Sequence, residues 1–544
     1  MGILGSPWPS LLVLFFSGTL AAALFPAYKR FIWLPAPALI WISVLLATAL
    51  RDSSYDGLST YAETLHWLTQ STGSLQEQKA RIEFLASQTH IRGSLSLGCV
   101  FANLTGSFES SKWTGWAWSL AGACLFAASA SLCLSGRGFF AWAIPGMVLL
   151  QPVLLYQGAT LYQDAQIAGA ITGLFASFLA VCFRCGPKAW AGFLVSLGCL
   201  VISKTFAFGY VILLLPIFWA GIFFRNRPQS GVVVVIGLLL ASFLMPWGFP
   251  MLREIRSDND GKDWSKHISQ FLLFADPAAI DGNKTDGIHG GCGEVVSNSA
   301  AMFWRRHFAA SKRGDEQSRI KMPFWFTRPE LDVFSDLTPD LRFGGFGPLY
   351  GTAALLALLP GLLLLGSPAP TQAGWKWILV ACLVMIPVSP SWWARWFPQG
   401  WWIPFAACVG FLCGPPDWRE KFRWAGKLAR AGLLALGLNS LLILVFTLKG
   451  YVQAESIIRK QLAFVKTLPQ PVTVYWERFG GARFWLDREG IAWRASSQAV
   501  PGTAMRIYRT ELDVALAPED AARLKEKNQA FARLLGQKRL FPKP

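Results

Sequence analysis

The sequence has few charged residues for its length. Asp, Glu, Lys and Arg make up 15% of the 544 residues, whereas roughly 25% is usual in soluble domains. Hydrophobic residues account for 53% and aromatic residues for 14%. At about 20 apolar residues for each bilayer crossing, a dozen crossings would use roughly 240 residues. These proportions exclude a soluble enzyme, a disordered protein and a collagen-type or repeat chain, and they predict a polytopic membrane protein.

Several common catalytic and structural motifs are also missing. The sequence contains no HExxH, no Walker loop and no nucleophile elbow,. Most of the ten cysteines lie within apolar runs, where they act as small hydrophobic residues, so neither a disulfide framework nor a metal cluster is predicted. No internal repeat is visible, and an inverted-repeat transporter is therefore not supported.

The net charge of +18 has two sources that do not involve nucleic acid. One is the excess of Lys and Arg in the loops that orient membrane helices, and the other is a basic C-terminal tail. No basic and aromatic stripe of the kind that binds nucleic acid is present. We therefore predict no nucleic-acid partner and favour a negatively charged membrane substrate.

Hydrophobic runs predict about twelve transmembrane helices. Their approximate positions are 7–28, 31–50, 115–135, 138–156, 165–183, 189–203, 206–224, 231–249, 344–366, 374–390, 401–415 and 431–449. Placing the basic loops in the cytoplasm satisfies the positive-inside rule. The segments 51–92, 157–164, 249–343 and 390–400 then face the outside together with the tail, and so do all five histidines.

The chain divides into two predicted parts. Residues 1–449 form the membrane domain, with large outer loops at 51–92 and 249–343, and residues 450–544 form a small extracytoplasmic α/β module. In the module we predict a helix at about 452–467, strands at 472–476 and about 505–508, and a helix from 518 to about 535. This module is too short to be a catalytic domain, and a lid or docking role is favoured.

The first outer loop carries a cluster of acidic residues directly after the second predicted helix. Asp52 and Asp56 are four residues apart, and Glu63 follows seven residues later. In a helix all three would share one face at the membrane surface, where a partly desolvated carboxylate can act as a general base. The alternative is an amphipathic interfacial helix whose apolar residues lie among lipid headgroups, namely Leu58, Leu65 and Trp67.

Four motifs in order along the membrane domain add to this cluster. The first comprises Asp56, Tyr61, Trp67 and the sequence His90-Ile91-Arg92. It is similar to the pattern D-x-x-x-Y-H-x-x-x-x-x-W … L-H-x-R, with Thr60-Tyr61 standing where the pattern has Tyr-His. The other motifs are QGATLYQD at 157–164, the basic residue in Ser203-Lys204-Thr205, and SWWARWFP at 391–398.

Together these motifs resemble the GT-C superfamily of integral-membrane glycosyltransferases, in the bacterial branch that is similar to aminoarabinose and protein mannosyltransferases. The resemblance covers about residues 40–410 and implies an α-helical membrane fold with extracytoplasmic interfacial helices. It implies a sugar donor linked to polyprenyl phosphate, a glycan, lipid or protein acceptor, and contact with membrane lipids. No cofactor is assigned, and a divalent metal, Mg or Mn, stays open.

The resemblance also gives roles to individual residues. The candidate catalytic acids are Asp56, Asp52 and Asp164. The candidate ligands of the donor phosphate are Lys204, Arg395 and Arg92. The candidate substrate contacts are Tyr61, Glu63, His66, His90, Gln157, Tyr162, Trp392, Trp393 and His289. We expect Asp56, Asp164, Lys204 and Arg395 to converge on one cavity at the outer interface, where opposite charges reduce the cost of desolvation.

Each of these assignments has a structural alternative. Arg395 could be an interfacial anchor whose charge reaches the lipid–water boundary, and Asp164 could cap a helix. Lys204 could pair with a loop carboxylate or carbonyl, and His289 could be a solvated residue of a glycine-rich loop.

The predicted function is inverting transfer of a sugar from a polyprenyl-phosphate carrier to an extracytoplasmic acceptor, in a bacterial cytoplasmic membrane. Two alternatives stay open. One is an O-antigen-type glycan polymerase or ligase, and the other is a polytopic transporter or flippase.

Overall fold

A computed structural model describes most of the chain. The described residues are 50–52, 58, 61–63, 65, 98–103, 108–134, 144, 146–158, 160–184, 186–201, 203, 205–226, 303–304, 307–308, 321–335, 344–388, 394, 397–476, 480–496, 498, 504–510 and 512–527. Within them, two helices are long and apolar enough to cross a membrane, Asp164–Phe183 and Arg423–Val465. The predicted spans 7–28, 31–50 and 231–249 lie outside these residues, so the count of twelve is not confirmed.

The first half of the described chain is helical throughout. A 3₁₀ turn at Phe108–Lys112 leads into the helices, which are α1 (Trp113–Leu134), α2 (Pro152–Gln157), α3 (Asp164–Arg184), α4 (Pro187–Val201) and α5 (Thr205–Asn226). The predicted helices at 115–135, 165–183, 189–203 and 206–224 are confirmed. Within the predicted span 138–156, residues 144 and 146–149 are helical, and α2 follows them.

Helix α3 lies at the centre of this half and packs closely on α1. A Cβ atom added to Gly122 of α1 would come within 2.5 Å of the Gly169 carbonyl oxygen in α3. The hydroxyl of Ser119 donates a hydrogen bond to the Ala165 carbonyl at 3.2 Å. Small residues let the two backbones approach, as is common between membrane helices. This packing fixes the position of Asp164, the first residue of α3.

The second half contains α6 (Arg328–Ser335), α7 (Tyr350–Gly366), α8 (Ala373–Val388), α9 (Trp402–Leu412), α10 (Pro416–Lys421) and α11 (Arg423–Val465). Two short 3₁₀ turns, Pro370–Gln372 and Pro398–Trp401, precede α8 and α9. The predicted helices at 344–366, 374–390 and 401–415 are confirmed with slightly different ends.

The predicted end of a helix at residue 449 is wrong. Helix α11 continues through Gly450 to Val465, and the predicted boundary between the two parts of the chain falls inside it. Gly450, where the tail was predicted to begin, is a packing residue within this helix. A Cβ atom there would collide with the carbonyl group of Ser335, the last residue of α6.

Replacing Gly450 with Ala is expected to destabilise the fold, because the obstacle is backbone rather than a flexible side chain. Overpacking of this kind costs about 1–3 kcal/mol, and the midpoint of thermal unfolding in detergent should fall. Gly437→Ala on the same helix is the matched control, because the nearest atom to its added Cβ is 4.0 Å away. Equal midpoints for the two variants would contradict the packing role of Gly450.

The C-terminal module contains a four-stranded sheet in the order β2-β1-β4-β3. The strands are β1 (Val472–Tyr475), β2 (Trp493–Ala495), β3 (Ala504–Arg506) and β4 (Asp513–Ala515), with α12 (Arg483–Arg488) after β1 and α13 (Pro518–Lys527) after β4. Strand β1 pairs parallel with β2 and antiparallel with β4, and β3 pairs antiparallel with β4. The predicted α/β module is confirmed, whereas β2, β4 and α12 were missed because each is very short.

Candidate active site

The chain that carries Asp52 is held from both sides by the 3₁₀ turn at Phe108–Lys112. The backbone N–H of Asp52 donates to both carboxylate oxygens of Glu109, each at 3.1 Å. The ammonium group of Lys112 donates to the carbonyl oxygen of Leu50 at 2.6 Å. Glu109 and Lys112 also form an ion pair with each other, and both side chains are buried. The backbone around Asp52 is thus fixed by charged groups away from solvent.

The carboxylate of Asp52 joins the first outer loop to the second. Its Oδ2 atom accepts a hydrogen bond from the backbone N–H of Leu161 at 2.7 Å, and the Asp52 side chain is fully buried. The aromatic rings of Tyr61 and Tyr162 lie 5.8 Å apart at the same junction. Leu161 is three residues before Asp164, so the acidic parts of the two loops meet at one end of the helix bundle.

The second loop has its own hydrogen bonds. The hydroxyl of Thr160 donates to the backbone carbonyl of Gln157 at 2.8 Å, and it accepts the N–H of Tyr162 at 3.2 Å. Gln157 and Tyr162, two candidate substrate contacts, are both buried. These bonds fix the loop shape that presents the Leu161 N–H to Asp52.

Asp164 belongs to a second buried polar group beside this junction. The Tyr210 hydroxyl of α5 lies beside the Gln399 amide and within electrostatic range of the Asp164 carboxylate. All three side chains are fully buried. Gln399 belongs to the 3₁₀ turn Pro398–Trp401, which packs against α3. A carboxylate, a phenol and an amide are therefore grouped at the start of α3.

Ala394 and Phe397 precede the 3₁₀ turn that carries Gln399. The N–H of Phe397 donates to the carbonyl of Ala394 at 3.2 Å, and both residues are fully buried. Ser203, next to Lys204, is also buried, and its hydroxyl donates to the Cys199 carbonyl at 2.6 Å. Ser203 and Ala394, which directly precede the two candidate phosphate ligands in the sequence, are thus buried.

Nine of the candidate site residues lie outside the described residues. They are Asp56, His66, His90, Arg92, Lys204, His289, Trp392, Trp393 and Arg395. The predicted convergence of Asp56, Asp164, Lys204 and Arg395 on one cavity therefore stays a prediction.

Glu63 has a protein partner in the C-terminal module. The guanidinium of Arg483 forms a two-pronged ion pair with its carboxylate, one contact of which is 2.8 Å. A Cβ atom on Gly481 would lie 2.5 Å from the Leu58 carbonyl oxygen, so the module sits tightly on the first outer loop. This pairing favours a docking role for Glu63 over the predicted substrate contact.

The interfacial-helix alternative for the first outer loop is wrong for the two residues that can be compared. Leu58 and Leu65 were placed among lipid headgroups, but their exposed fractions are 0% and 1%. Leu58 packs in the core of the C-terminal module, and Leu65 packs beside Tyr61 and Phe484. The module, and not the bilayer, covers their apolar surface.

Arg51 makes a further link between the outer loop and the C-terminal part of the chain. Its backbone N–H donates to Oε2 of Glu455 at 2.9 Å, and its guanidinium pairs with both Glu455 and Glu489. Arg459 donates to Oε1 of Glu455 at 2.6 Å. Helix α11 and the module therefore hold the residue next to Asp52.

Sequence reasoning missed Glu109, Lys112 and Glu455. The only local signal was the spacing of Glu109 and Lys112, which are three residues apart directly before an apolar run, and buried charges are rarely found without partners. Glu455 is 404 residues from Arg51, and no pattern within a single sequence connects such a pair. In the part of the chain that the structure describes, no group of three or more His, Cys, Asp or Glu side chains could hold a metal ion.

Several solved structures are similar to this chain, and two of them are as follows. ArnT from Cupriavidus metallidurans bound to undecaprenyl phosphate has a TM-score of 0.39 and 14% identity, over 85% of this chain and 86% of that chain. The archaeal oligosaccharyltransferase AglB from Archaeoglobus fulgidus, in complex with an inhibitory peptide and a dolichol-phosphate, has a TM-score of 0.36 and 12% identity, over 94% of this chain and 61% of that chain.

No family model matches the chain, and no curated protein matches it. Because both TM-scores are below 0.5, a functional assignment has to rest on the residues of this chain.

Proposed function

We propose that this protein is a membrane glycosyltransferase that moves a sugar from a polyprenyl-phosphate carrier to an acceptor. The observation that carries the proposal is the hydrogen bond between the Asp52 carboxylate and the Leu161 N–H. It joins a buried acid in the first outer loop to the loop that leads to Asp164. Two acidic loops at one end of an apolar helix bundle suit a reaction between a membrane lipid and an acceptor at the surface.

The chemistry needs a base for the acceptor. We assign this role to Asp52, with Asp56 as the other candidate in the same loop. The carboxylate takes the proton of an acceptor hydroxyl or amine as the acceptor atom bonds to the anomeric carbon, and the bond from that carbon to the phosphate oxygen breaks. This single displacement inverts the anomeric centre and releases polyprenyl phosphate. The Leu161 N–H holds this carboxylate in place, and the ionised form of a carboxylate is the one that accepts a proton.

The departing phosphate needs positive charge near the same place. We propose Lys204, Arg395 and Arg92 for this role. Arginine can bind phosphate with two parallel hydrogen bonds, and lysine supplies a point charge. Support comes from Ser203 and Ala394, the residues directly before Lys204 and Arg395, which are buried, because a charge inside a membrane is costly without a partner.

We further propose a bacterial cytoplasmic membrane with the site on the extracytoplasmic face. The support is the charge of the loops. The segment that joins α9 to α11 includes α10, which carries Arg419 and Lys421, and it is followed by Arg423. This is the opposite end of α11 from the C-terminal module. Basic residues on that side satisfy the positive-inside rule.

The test uses the purified full-length protein in lipid nanodiscs. Polyprenyl phosphates carrying different single sugars are added together with membrane extracts as the source of acceptor, and the release of polyprenyl phosphate is followed by chromatography. We expect release from at least one donor, and only when acceptor is present. In parallel, proteoliposomes are tested for movement of the same lipids between leaflets. Movement between leaflets without release would overturn the proposal and favour the flippase alternative.

A further inference from the structure

An exposed apolar loop precedes α6. The loop, Met322–Phe326, is called the aromatic loop here, and it has the sequence Met-Pro-Phe-Trp-Phe. Met322 is 77% exposed, Phe324 61% and Trp325 67%. Adjacent large apolar side chains with this exposure generally mark a surface that another apolar medium covers.

The aromatic loop is held in a defined shape. Phe324 has a φ of 67°, a conformation that costs energy in a bulky residue. Its N–H donates to the Thr352 hydroxyl at 2.7 Å. At the loop's two ends, Lys321 pairs with Glu330 at 2.7 Å, and the Thr327 N–H donates to the same carboxylate at 2.9 Å. The backbone is therefore fastened on both sides while the apolar side chains stay exposed.

The position of the aromatic loop relative to α7 indicates its depth. Thr352, its hydrogen-bond partner, lies in the first turn of α7. Directly below Thr352 an apolar stripe of the same helix is exposed: Leu355, Leu358, Leu359 and Leu362 are 42–59% exposed. A helix of this composition shows such a stripe to lipid. The aromatic loop thus continues the lipid-facing surface of α7 at its end.

The other end of the same segment lies on the solvent side. Helix α6, which follows the aromatic loop, ends at Ser335 against Gly450 of α11. Gly450 follows Lys449 and lies between the apolar part of α11 and its charged continuation towards the C-terminal module. Arg328, just after the loop, has a side chain that is 85% exposed. The segment therefore passes from the aqueous side down to the lipid-facing edge of the bundle.

We propose that the aromatic loop inserts into the outer interface of the lipid bilayer and anchors this edge of the protein. The partner is the bilayer itself, contacted by Met322, Phe324 and Trp325. Trp and Phe side chains are favoured at the boundary between headgroups and acyl chains. The strained backbone at Phe324 and its bond to Thr352 direct these side chains outward. This anchoring is independent of the reaction that the protein catalyses.

The test measures the depth of nitroxide labels on the full-length protein in lipid nanodiscs. Labels are attached to Met322→Cys and, in a second variant, to Trp325→Cys. Leu358→Cys on the exposed stripe of α7 is the lipid control, and Lys460→Cys on the exposed part of α11 is the water control. The wild-type chain, labelled in parallel, gives the background from native cysteines. Collisions with oxygen, which concentrates in lipid, are compared with collisions with a water-soluble nickel complex.

Insertion of the aromatic loop gives labels at 322 and 325 a collision ratio close to that at 358. Strong collisions with the nickel complex, as at 460, would mean that the loop is in water and would overturn the proposal. Protection from both reagents would mean that protein covers the loop, and this result would overturn it as well.

Discussion

Replacing Asp52 with Asn is expected to lower the rate of sugar transfer by about 10²–10⁴-fold, the usual contribution of a general base. The Asn side chain keeps the volume of Asp, and its amide oxygen can still accept the Leu161 N–H that Asp52 Oδ2 accepts now. It cannot take a proton from the acceptor. The loop junction should therefore survive while the chemical step is lost. The measurement is the initial rate of polyprenyl phosphate release in nanodiscs with saturating donor.

The same assay separates the role of Asp52 from the overall function. Asp417→Asn, an exposed carboxylate in α10, is the matched control and should keep the wild-type rate. Asp56→Asn is measured alongside. If Asp52→Asn transfers sugar at the wild-type rate and Asp56→Asn does not, the base is Asp56 and our assignment is wrong, although the glycosyltransferase proposal stands.

Local patterns in the sequence were enough to predict most of the described helices. The apolar runs of α3, α4 and α5 are long and uninterrupted, and each is bounded by charge or proline, so their positions follow from composition alone. The case of α11 shows the limit of this reasoning. A glycine at position 450 is compatible with the end of a helix and also with close packing of another segment, and the sequence does not distinguish these roles. The position of the Ser335 carbonyl group shows that its role is close packing.

The candidate site was predictable in part for the same reason. Asp52 and Asp164 each stand next to an apolar run, at an end that the charge pattern predicts to be extracytoplasmic, and this placement was visible in the sequence. Their environments were not. The contacts that fix Asp52 come from Glu109 and Leu161, which are 57 and 109 residues away. Contacts between residues so far apart in the sequence are set by the packing of α1 against α3, and a local sequence pattern does not predict them.

The C-terminal module is part of the candidate site's support. A lid or docking role was predicted from its size, and the ion pair of Arg483 with Glu63 favours docking. The module also reaches the base region directly, because the indole N–H of Trp485 donates to Glu109 Oε1 at 3.1 Å. Glu109 thus receives hydrogen bonds from the first outer loop and from the module. A substitution at Glu109 should therefore disturb the contacts of both the loop and the module.

Removing either charge of the Glu109–Lys112 pair is expected to cause the largest loss of stability. Both side chains are almost completely buried, and breaking a buried ion pair costs about 3–5 kcal/mol because the remaining charge has no partner. Lys112→Met leaves the carboxylate of Glu109 unpaired and removes the donor to the Leu50 carbonyl. Glu109→Gln leaves the ammonium of Lys112 unpaired. The measurement is the midpoint of thermal unfolding in detergent, with the transfer rate of the folded fraction.

The double variant shows whether the loss comes from charge or from packing. Glu109→Gln with Lys112→Met buries no charge, and the Gln amide oxygen can still accept the N–H groups of Asp52 and Trp485. Its unfolding midpoint should therefore lie above that of either single variant. Asp332→Asn is the control, because its pair with Arg328 is exposed, and exposed pairs contribute about 0–1 kcal/mol. If the double variant loses as much stability as the two single variants added together, Glu109 and Lys112 act through separate contacts. The inference that they hold the Asp52 backbone as a pair would then be wrong.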